Sequence, residues 1–345
     1  MDYLTPRPDL YNIPFTNADF QGMPFRRLGG SGLQVSAVGL GTWKLGLPET
    51  GDGARVGEAE SFALFDRAVE LGVTFWDTAN RYNAASGNSE RVIGRWLRHN
   101  GDQRRNIVLA TKLCGAMDGI TPNHSGLSRL SILDSVEASL ERLQTNRIDL
   151  LYFHQYDAGT PVEESLLAIE DLVVRGTVRY FAVSNFTIAQ LEQYRQASPS
   201  LRSRFVAVQN QFDLLHGEQP ARAGVLDYCA ACGASFIAWS PLARGLLTDR
   251  YLDLANVGPG DRLYDEGVAD QISPADMDKL HRLSGLARKW EMPLSELVIA
   301  YMLSLPGMGP VIPSATSIRQ LESNAAGGKL ILQPEQSAAI REVLA

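Results

Sequence analysis

Four side chains of the kinds that deliver a proton to an oxygen stand at the ends of short apolar runs. They are Asp77, Lys112 and His154, with Tyr82 five residues beyond Asp77 in the segment DTANRY. An isolated phenol titrates near 10 and is a weak acid at neutral pH. Beside a buried ammonium its pKa is expected to fall, because the positive charge favours phenolate. On this reading Tyr82 is a general acid and Lys112 tunes it. Asp77 holds Lys112 in place and spares the interior a bare cation. His154 donates a hydrogen bond to the oxygen being protonated and steadies its developing charge. A structural ion pair is the plain alternative for Asp77 and Lys112, and a satisfied core histidine for His154. The convergence of all four at run ends favours chemistry. His99, His124, His216 and His281 have no partners at ligand spacing and read as structural.

Converging side chains need a scaffold that gathers run ends. Eight Val-, Ile-, Phe- and Ala-rich runs predict strands: Ala37–Trp43, Thr74–Thr78, Ile107–Lys112, Asp149–His154, Val178–Ser184, Phe205–Gln209, Ser235–Ser240 and Pro310–Pro313. They are nearly continuous apolar segments, as strands covered on both faces should be. Amphipathic stretches alternate with them, such as Ser131–Leu143 with Ile132, Val136, Leu140 and Leu143 on one face. Pro293–Leu305 adds a helix before the last strand, and Pro334–Leu344 a C-terminal one. The pattern predicts one α/β domain, a (β/α)8 TIM barrel over 24–345. A hairpin turning at Gly29-Gly30-Ser31-Gly32 precedes it, after an aperiodic N-terminal arm over 1–23. A doubly wound open sheet is the competitor. Gly39-Leu40-Gly41 and Gly30-Ser31-Gly32 both lack the third glycine of a dinucleotide fingerprint, which counts against it. The irregular stretch 243–273 follows strand seven, so it is expected to overhang the catalytic end of a barrel.

Composition narrows the classes further. A net charge of −7 and the absence of long basic runs give no sign of nucleic-acid binding. No run of 18 apolar residues suggests a membrane span. With no apolar leader after a basic start, the chain reads as cytoplasmic. Three cysteines do not suit a disulfide framework. Cys229 and Cys232 form a CxxC without a second pair, so core thiols are expected and no metal is assigned.

The segments GLGTW (39–43), DTANRY (77–82), ATK (110–112), DLLYFH (149–154), VSNF (183–186), VQNQF (208–212), WSPLARGLL (239–247) and IPSATSIRQLESN (312–324) resemble, in order and separation, those of the aldo-keto reductase superfamily. The likeness covers about 24–328. It points to a bacterial-type branch somewhat like the potassium-channel beta subunits and aryl-alcohol dehydrogenase-like members. The resemblance implies reduction of an aldehyde or ketone by NADPH, with NADH as the alternative, and the tetrad Asp77, Tyr82, Lys112 and His154. It also implies a cofactor path across the barrel mouth. Ser184, Asn185 and Gln209 would bond the carboxamide, and Trp239 would stack on the ring. Thr42, Trp43 and Asp77 would line its side, and Ser240, Pro241, Leu242 and Gly245 would cover the pyrophosphate. Arg250, Ser314, Thr316, Arg319, Gln320 and Asn324 would surround the adenosine end. Two departures, Ser314 and Ser323, leave the choice of nucleotide open, while Arg250 and Arg319 favour NADPH.

The substrate is expected to be a small carbonyl compound, ring-bearing or sugar-like, held by Trp43, Tyr82, Cys114 or its neighbours, Tyr156 and parts of 243–273. A cofactor-holding redox sensor with little turnover is the rival; the complete tetrad argues against it. A metal hydrolase built on Asp77 and His154 is a second rival, disfavoured by Lys112, Asn185 and Gln209 where further ligands would be needed.

Overall fold

A computed structural model describes residue 8 and residues 18–345, apart from 118 and 199. Eight parallel strands form hydrogen-bonded neighbours in chain order: β1 Gly39–Gly41, β2 Phe75–Asp77, β3 Val108–Leu113, β4 Ile148–Phe153, β5 Val178–Ser184, β6 Phe205–Asp213, β7 Ser235–Trp239 and β8 Met308–Ile312. The ring closes between β8 and β1 through bridges Val38–Val311 and Gly41–Ser314. Gly41 N donates to Pro313 O at 3.0 Å across that seam. A side chain would be tight at the seam, since a Cβ on Gly41 would lie 3.0 Å from Ser314 Oγ and 3.1 Å from Ile312 Cγ2. The architecture is the expected (β/α)8 barrel.

Strand parity sorts the apolar residues into two cores. Phe75, Ala110, Leu150, Tyr152, Ala182, Ala207, Ile237 and Ile312 fill the barrel interior. The alternate residues, Trp76, Leu109, Leu151, Phe181, Val183, Val208, Phe236 and Val311 among them, pack outward under the helices. Trp76 stacks on Phe65 at 4.7 Å and lies 4.9 Å from Trp96, so it belongs to this outer layer and not to a pocket. The surrounding helices follow the expected periodicity. Glu58–Glu70, Asn88–His99, Arg129–Leu143, Val162–Val174, Ile188–Ala197, Pro274–Lys289, Leu294–Leu303, Ile318–Lys329 and Pro334–Leu344 all start or stop within three residues of the sequence expectation. Several carry their own start signals: Ser128, Ser273 and Ser317 cap with their hydroxyls, and Thr187 forms a capping box with Gln190.

Three local expectations are revised. Most of the arm expected over 1–23 falls outside the described residues, but its end is ordered into the N-terminal sheet. Asp19–Phe20 pairs antiparallel with Met23–Arg27, which pairs with Gln34–Ser36 across the glycine turn. Met23 is fully buried, against Val38 and the backbone of Gly328, because it plugs the outer layer beneath β1. Leu28 and Val35 of the hairpin close the bottom of the inner core. Strand β6 runs four residues past Gln209 and folds back as a short hairpin with Gly217–Glu218, and the following helix starts at Val225. The stretch 243–273 is a string of short helical turns, with Arg262–Asp265 the longest. No helix among the described residues is long and apolar enough to cross a membrane.

Candidate active site

The inward parity that makes the apolar core puts polar residues one step higher on the same strands. Two residues above Phe75 is Asp77, above Ala110 is Lys112, above Tyr152 is His154, above Ala182 is Ser184, above Ala207 is Gln209 and above Ile237 is Trp239. The strands are staggered, so Asp77 is in register with Ala110 and Lys112 with Tyr152. The ion pair therefore forms by the long Lys112 side chain reaching across, not between matched positions.

Lys112 is 1% and Asp77 3% exposed at the side chain, and Lys112 Nζ donates to Asp77 Oδ1. The same ammonium donates to Thr78 O at 3.0 Å and to Tyr82 Oη at 2.8 Å, which completes its three donors. Tyr82 Oη lies 3.4 Å from Asp77 Oδ1. Gln209 Nε2 donates to Asp77 Oδ2 at 2.8 Å. The His154 ring approaches that of Tyr82 edge-on, centroids 6.1 Å apart. Tyr82 reaches the mouth because the loop after β2 folds back, with Asn80 N donating to Lys112 O at 3.1 Å. The turn then runs through three successive left-handed residues, Asn83, Ala84 and Ala85. Such strain is held where surrounding contacts over-determine it; here Asn83 Nδ2 donates to Leu45 O at 2.7 Å.

The expected fall in the Tyr82 pKa is not what this site produces. Burial first, and then the Asp77 carboxylate, push the phenol well above its ordinary value. Lys112 works the other way from 2.8 Å, but its charge is largely spent on Asp77. Burial also lowers the Lys112 pKa, against the pull of Asp77. Burial, then the charges of Lys112 and Arg81, bring His154 down to about 3, so its imidazole is neutral and can donate one hydrogen bond. Beside these groups a cavity of about 290 Å3 is lined by Arg81, Gly115, His154, Gln155 and Asn185.

The residues expected to hold a cofactor divide into those around the mouth and those engaged elsewhere. Asn185 has φ 62° and is clamped: its amide donates to His154 O at 2.9 Å and Ser184 Oγ at 3.1 Å, and accepts from Trp239 Nε1 at 3.2 Å. Ser184 Oγ donates to Gln209 O at 2.8 Å. Trp239 is half-buried, leaving part of its ring at the mouth. Beyond it, Ser240, Ala243, Arg244 and Gly245 have positive φ, winding the chain through Pro241 and Leu242 as a tight cradle. A flat amide-bearing ring fits this surface: an aromatic face, a fixed amide and a hydroxyl side by side. Thr42 lies behind the wall, fully buried, with its hydroxyl donating to Asp77 O at 3.0 Å. Trp43 is 41% exposed at the rim, flanked by Lys44 Nζ at 4.2 Å and the Arg262 guanidinium at 5.0 Å.

Among the residues expected at the adenosine end, Thr316 N and Oγ1 donate to Gln320 Oε1 at 2.8 and 3.0 Å, and Asn324 is buried. Ser314 and Arg319 flank the start of the same helix. Arg250 is instead bound to Asp261, at 2.9 and 2.6 Å, so its charge is already matched within the 243–273 stretch. Cys114 is buried and its thiol is pushed up to about 11, while Tyr156 packs on Phe186 and Tyr194 and bonds Gln193. Among the expected pocket residues these two are wall, not lining. Gly115 lines the cavity as the expected neighbour of Cys114, whereas Arg81 and Gln155 were missed, although Arg81 lies inside the DTANRY segment itself. Among the described residues no three His, Cys, Asp or Glu side chains gather as metal ligands.

Comparison with known proteins agrees with this geometry. The model of the aldo/keto reductase family matches residues 37–345. Aldo-keto reductase AFTS1 of Alternaria alternata is 34% identical over 302 residues, covering 81% of this chain and 80% of that protein. Versiconal hemiacetal acetate reductase of Aspergillus parasiticus is 31% identical over 343 residues, covering 93% and 96%. A probable voltage-gated potassium channel subunit beta of Oryza sativa subsp. japonica is 30% identical over 306 residues, covering 88% and 90%. The chain belongs to the aldo/keto reductase family, a family of oxidoreductases that use NAD(P)H. These relatives are fungal and plant proteins and lend no support to a bacterial-type branch.

Proposed function

We propose that this protein reduces an aldehyde or ketone, open-chain or as a hemiacetal, to the alcohol, or runs the reverse oxidation, with Tyr82 as proton donor. The observation that carries the reading is the Tyr82 hydroxyl 2.8 Å from Lys112 Nζ, with the His154 ring at its edge and a cavity opening beside it. When bound, the nicotinamide supplies the hydride to the carbonyl carbon. Tyr82 Oη supplies the proton to the carbonyl oxygen, and the resulting phenolate stays beside the Lys112 ammonium. Neutral His154 donates a hydrogen bond to the same oxygen and orients it. Asp77 and Gln209 keep Lys112 and the phenol in place. Ser184, Asn185 and Trp239 would hold the nicotinamide, and Ser240 to Gly245 the pyrophosphate. NADPH is the preferred form on Arg319, with Arg250 available only if it leaves Asp261.

The proposed setting is cytoplasmic, with a small-molecule substrate and no role on nucleic acid or membranes. A regulatory subunit that holds the cofactor with little turnover is the other reading, favoured by the likeness to potassium-channel beta subunits. A panel of aldehydes, ketones and sugars with NADPH and NADH, followed by the absorbance of the reduced cofactor, separates the two. Tight cofactor binding without turnover of any of them would overturn the enzymatic reading.

A further inference from the structure

Most cations at the barrel mouth are matched by acids. Lys44, Arg244 and Arg262 share Glu266, and Arg250 takes Asp261. Arg81 differs. It is exposed, and among the described residues its guanidinium has no hydrogen-bonding or ion-pair partner; only its backbone carbonyl is engaged, accepting from Ala85 N at 3.2 Å. Its guanidinium is nevertheless placed. It lies across Gly115, where a Cβ would stand 2.2 Å from Nη1 and 2.3 Å from Cδ, so only glycine leaves it that resting place.

Both residues line the cavity that His154 borders, and the other lining residues, Gln155 and Asn185, are neutral amides. Among the described residues no carboxylate lines it. The nearby Asp157 spends its oxygens on Leu127 N, Gly159 N and Thr160 Oγ1, at 2.7–2.8 Å. Arg81 and Lys112 both act on His154 with positive charge. A cavity with a positive field and an unmatched guanidinium at its wall favours an oxyanion, which such a fork can bind in two-pronged fashion.

We propose that Arg81 recognises an anionic group, carboxylate or phosphate, on a small carbonyl substrate whose reacting oxygen sits between Tyr82 and His154. This rests on the carbonyl-reductase reading above. Arg81 directly precedes Tyr82, and a cavity of about 290 Å3 is at the small end for ligand sites, so anion and carbonyl are a few bonds apart. Large neutral ring systems are not what this lining selects.

The test uses matched pairs with the full-length protein: 5-oxopentanoate against pentanal, and glycolaldehyde phosphate against glycolaldehyde. In at least one pair the anionic member should have the higher kcat/KM, by about 10- to 100-fold, as expected of a hydrogen-bonded charge. The preference should reside in KM and shrink with added salt. In Arg81→Gln the ratio should fall toward one, and Arg81→Lys should retain part of it. The carboxylate and phosphate arms show which anion is meant. Equal or better use of the neutral members in both pairs overturns the proposal, as does an unchanged ratio in Arg81→Gln. Calorimetric binding of the products, 5-hydroxypentanoate and 2-hydroxyethyl phosphate, gives a readout apart from turnover. Binding that Arg81→Gln abolishes supports the anion site even with no aldehyde reduced, and then only the reductase reading fails. No binding of either product to the wild type, with or without NADP, overturns the anion site.

Discussion

Replacing Lys112 by methionine tests whether the ammonium is the keystone of the buried cluster. Methionine keeps most of the volume, so packing changes little. What is lost is the partner of Asp77, which is 3% exposed at the side chain and would keep only Gln209 at 2.8 Å and Tyr82 at 3.4 Å. Leaving a buried charge unpaired costs about 3–5 kcal/mol. For a chain of 345 residues, unfolding entropy near the midpoint is roughly 0.7 kcal/mol per degree, so Tm should drop by about 4–7 °C. The double variant Asp77→Asn/Lys112→Met removes the charge along with its partner and should recover most of that loss. Differential scanning calorimetry of wild type, both singles and the double closes the cycle. Both singles and the double should be inactive, so stability alone carries the result. A Lys112→Met protein melting with the wild type, or a double no more stable than that single, refutes the claim that the cluster's stability lies in pairing.

Other outcomes follow from the same geometry. Tyr82→Phe should reduce kcat/KM for carbonyl reduction by about 10²–10⁴-fold, with cofactor affinity by fluorescence titration changed less than about twofold; a fully active variant removes Tyr82 from the proton-donor role. His154 has a folded pKa of about 3 against an ordinary 6.5, so the unfolded chain binds the extra proton between those values. Stability therefore rises with pH through that window and is lost on acidification, at up to about 1.4 kcal/mol per pH unit from this residue. Chemical denaturation at several pH values should show a shallower slope for His154→Gln, and an unchanged slope would contradict a neutral buried imidazole. Glu266 joins Arg262 at 2.9 Å, Lys44 at 3.5 Å and Arg244 at 3.8 Å, tying the 243–273 stretch to the rim after β1. Partly exposed pairs contribute about 1 kcal/mol at most, so Glu266→Gln should speed cofactor release by about threefold to fivefold in stopped flow; no change would show that this tie does not hold a lid.

How far the sequence discloses this arrangement depends on the range of the interactions involved. Strand positions follow from nearly continuous apolar runs that end in polar residues, which is a local signal. That is why Asp77, Lys112, His154, Ser184, Gln209 and Trp239 could be picked as strand-end residues. Contacts across the barrel are another matter. The Gln209 amide reaches Asp77 over 132 positions, and nothing near either residue marks the pairing. The expected role of Gln209 at a carboxamide was drawn from resemblance alone, and in the described structure its donor goes to the carboxylate. Arg81 was overlooked for a different reason. The case for it rests on a guanidinium without a partner among the described residues and on the bare surface of Gly115, both properties of a loop conformation set by three left-handed residues after Tyr82. The burial of Met23 was hidden because the first strands pair within an apparently aperiodic stretch.

The reversed expectation about Tyr82 changes what its neighbours would do in the proposed reaction. A depressed phenol pKa would give a stronger acid, but in a dry site it would also empty the donor by leaving phenolate before substrate arrives. With burial and Asp77 holding the pKa up, the hydroxyl stays protonated at every working pH and is loaded by default. In the proposed reaction the difficulty then moves to the moment of transfer, when negative charge would appear on the phenol oxygen. Lys112 Nζ is already 2.8 Å away and fixed by Asp77 and Thr78, so no reorganisation is needed to meet that charge. The Asp77–Lys112 pair is in this sense a reserve: neutral overall while the site waits, and positive toward the phenol when the proton has gone. Such a device requires the three groups to be held together away from water, which is why Asp77 and Lys112 sit one pleat above an apolar barrel core and the loop after β2 folds Tyr82 back onto them.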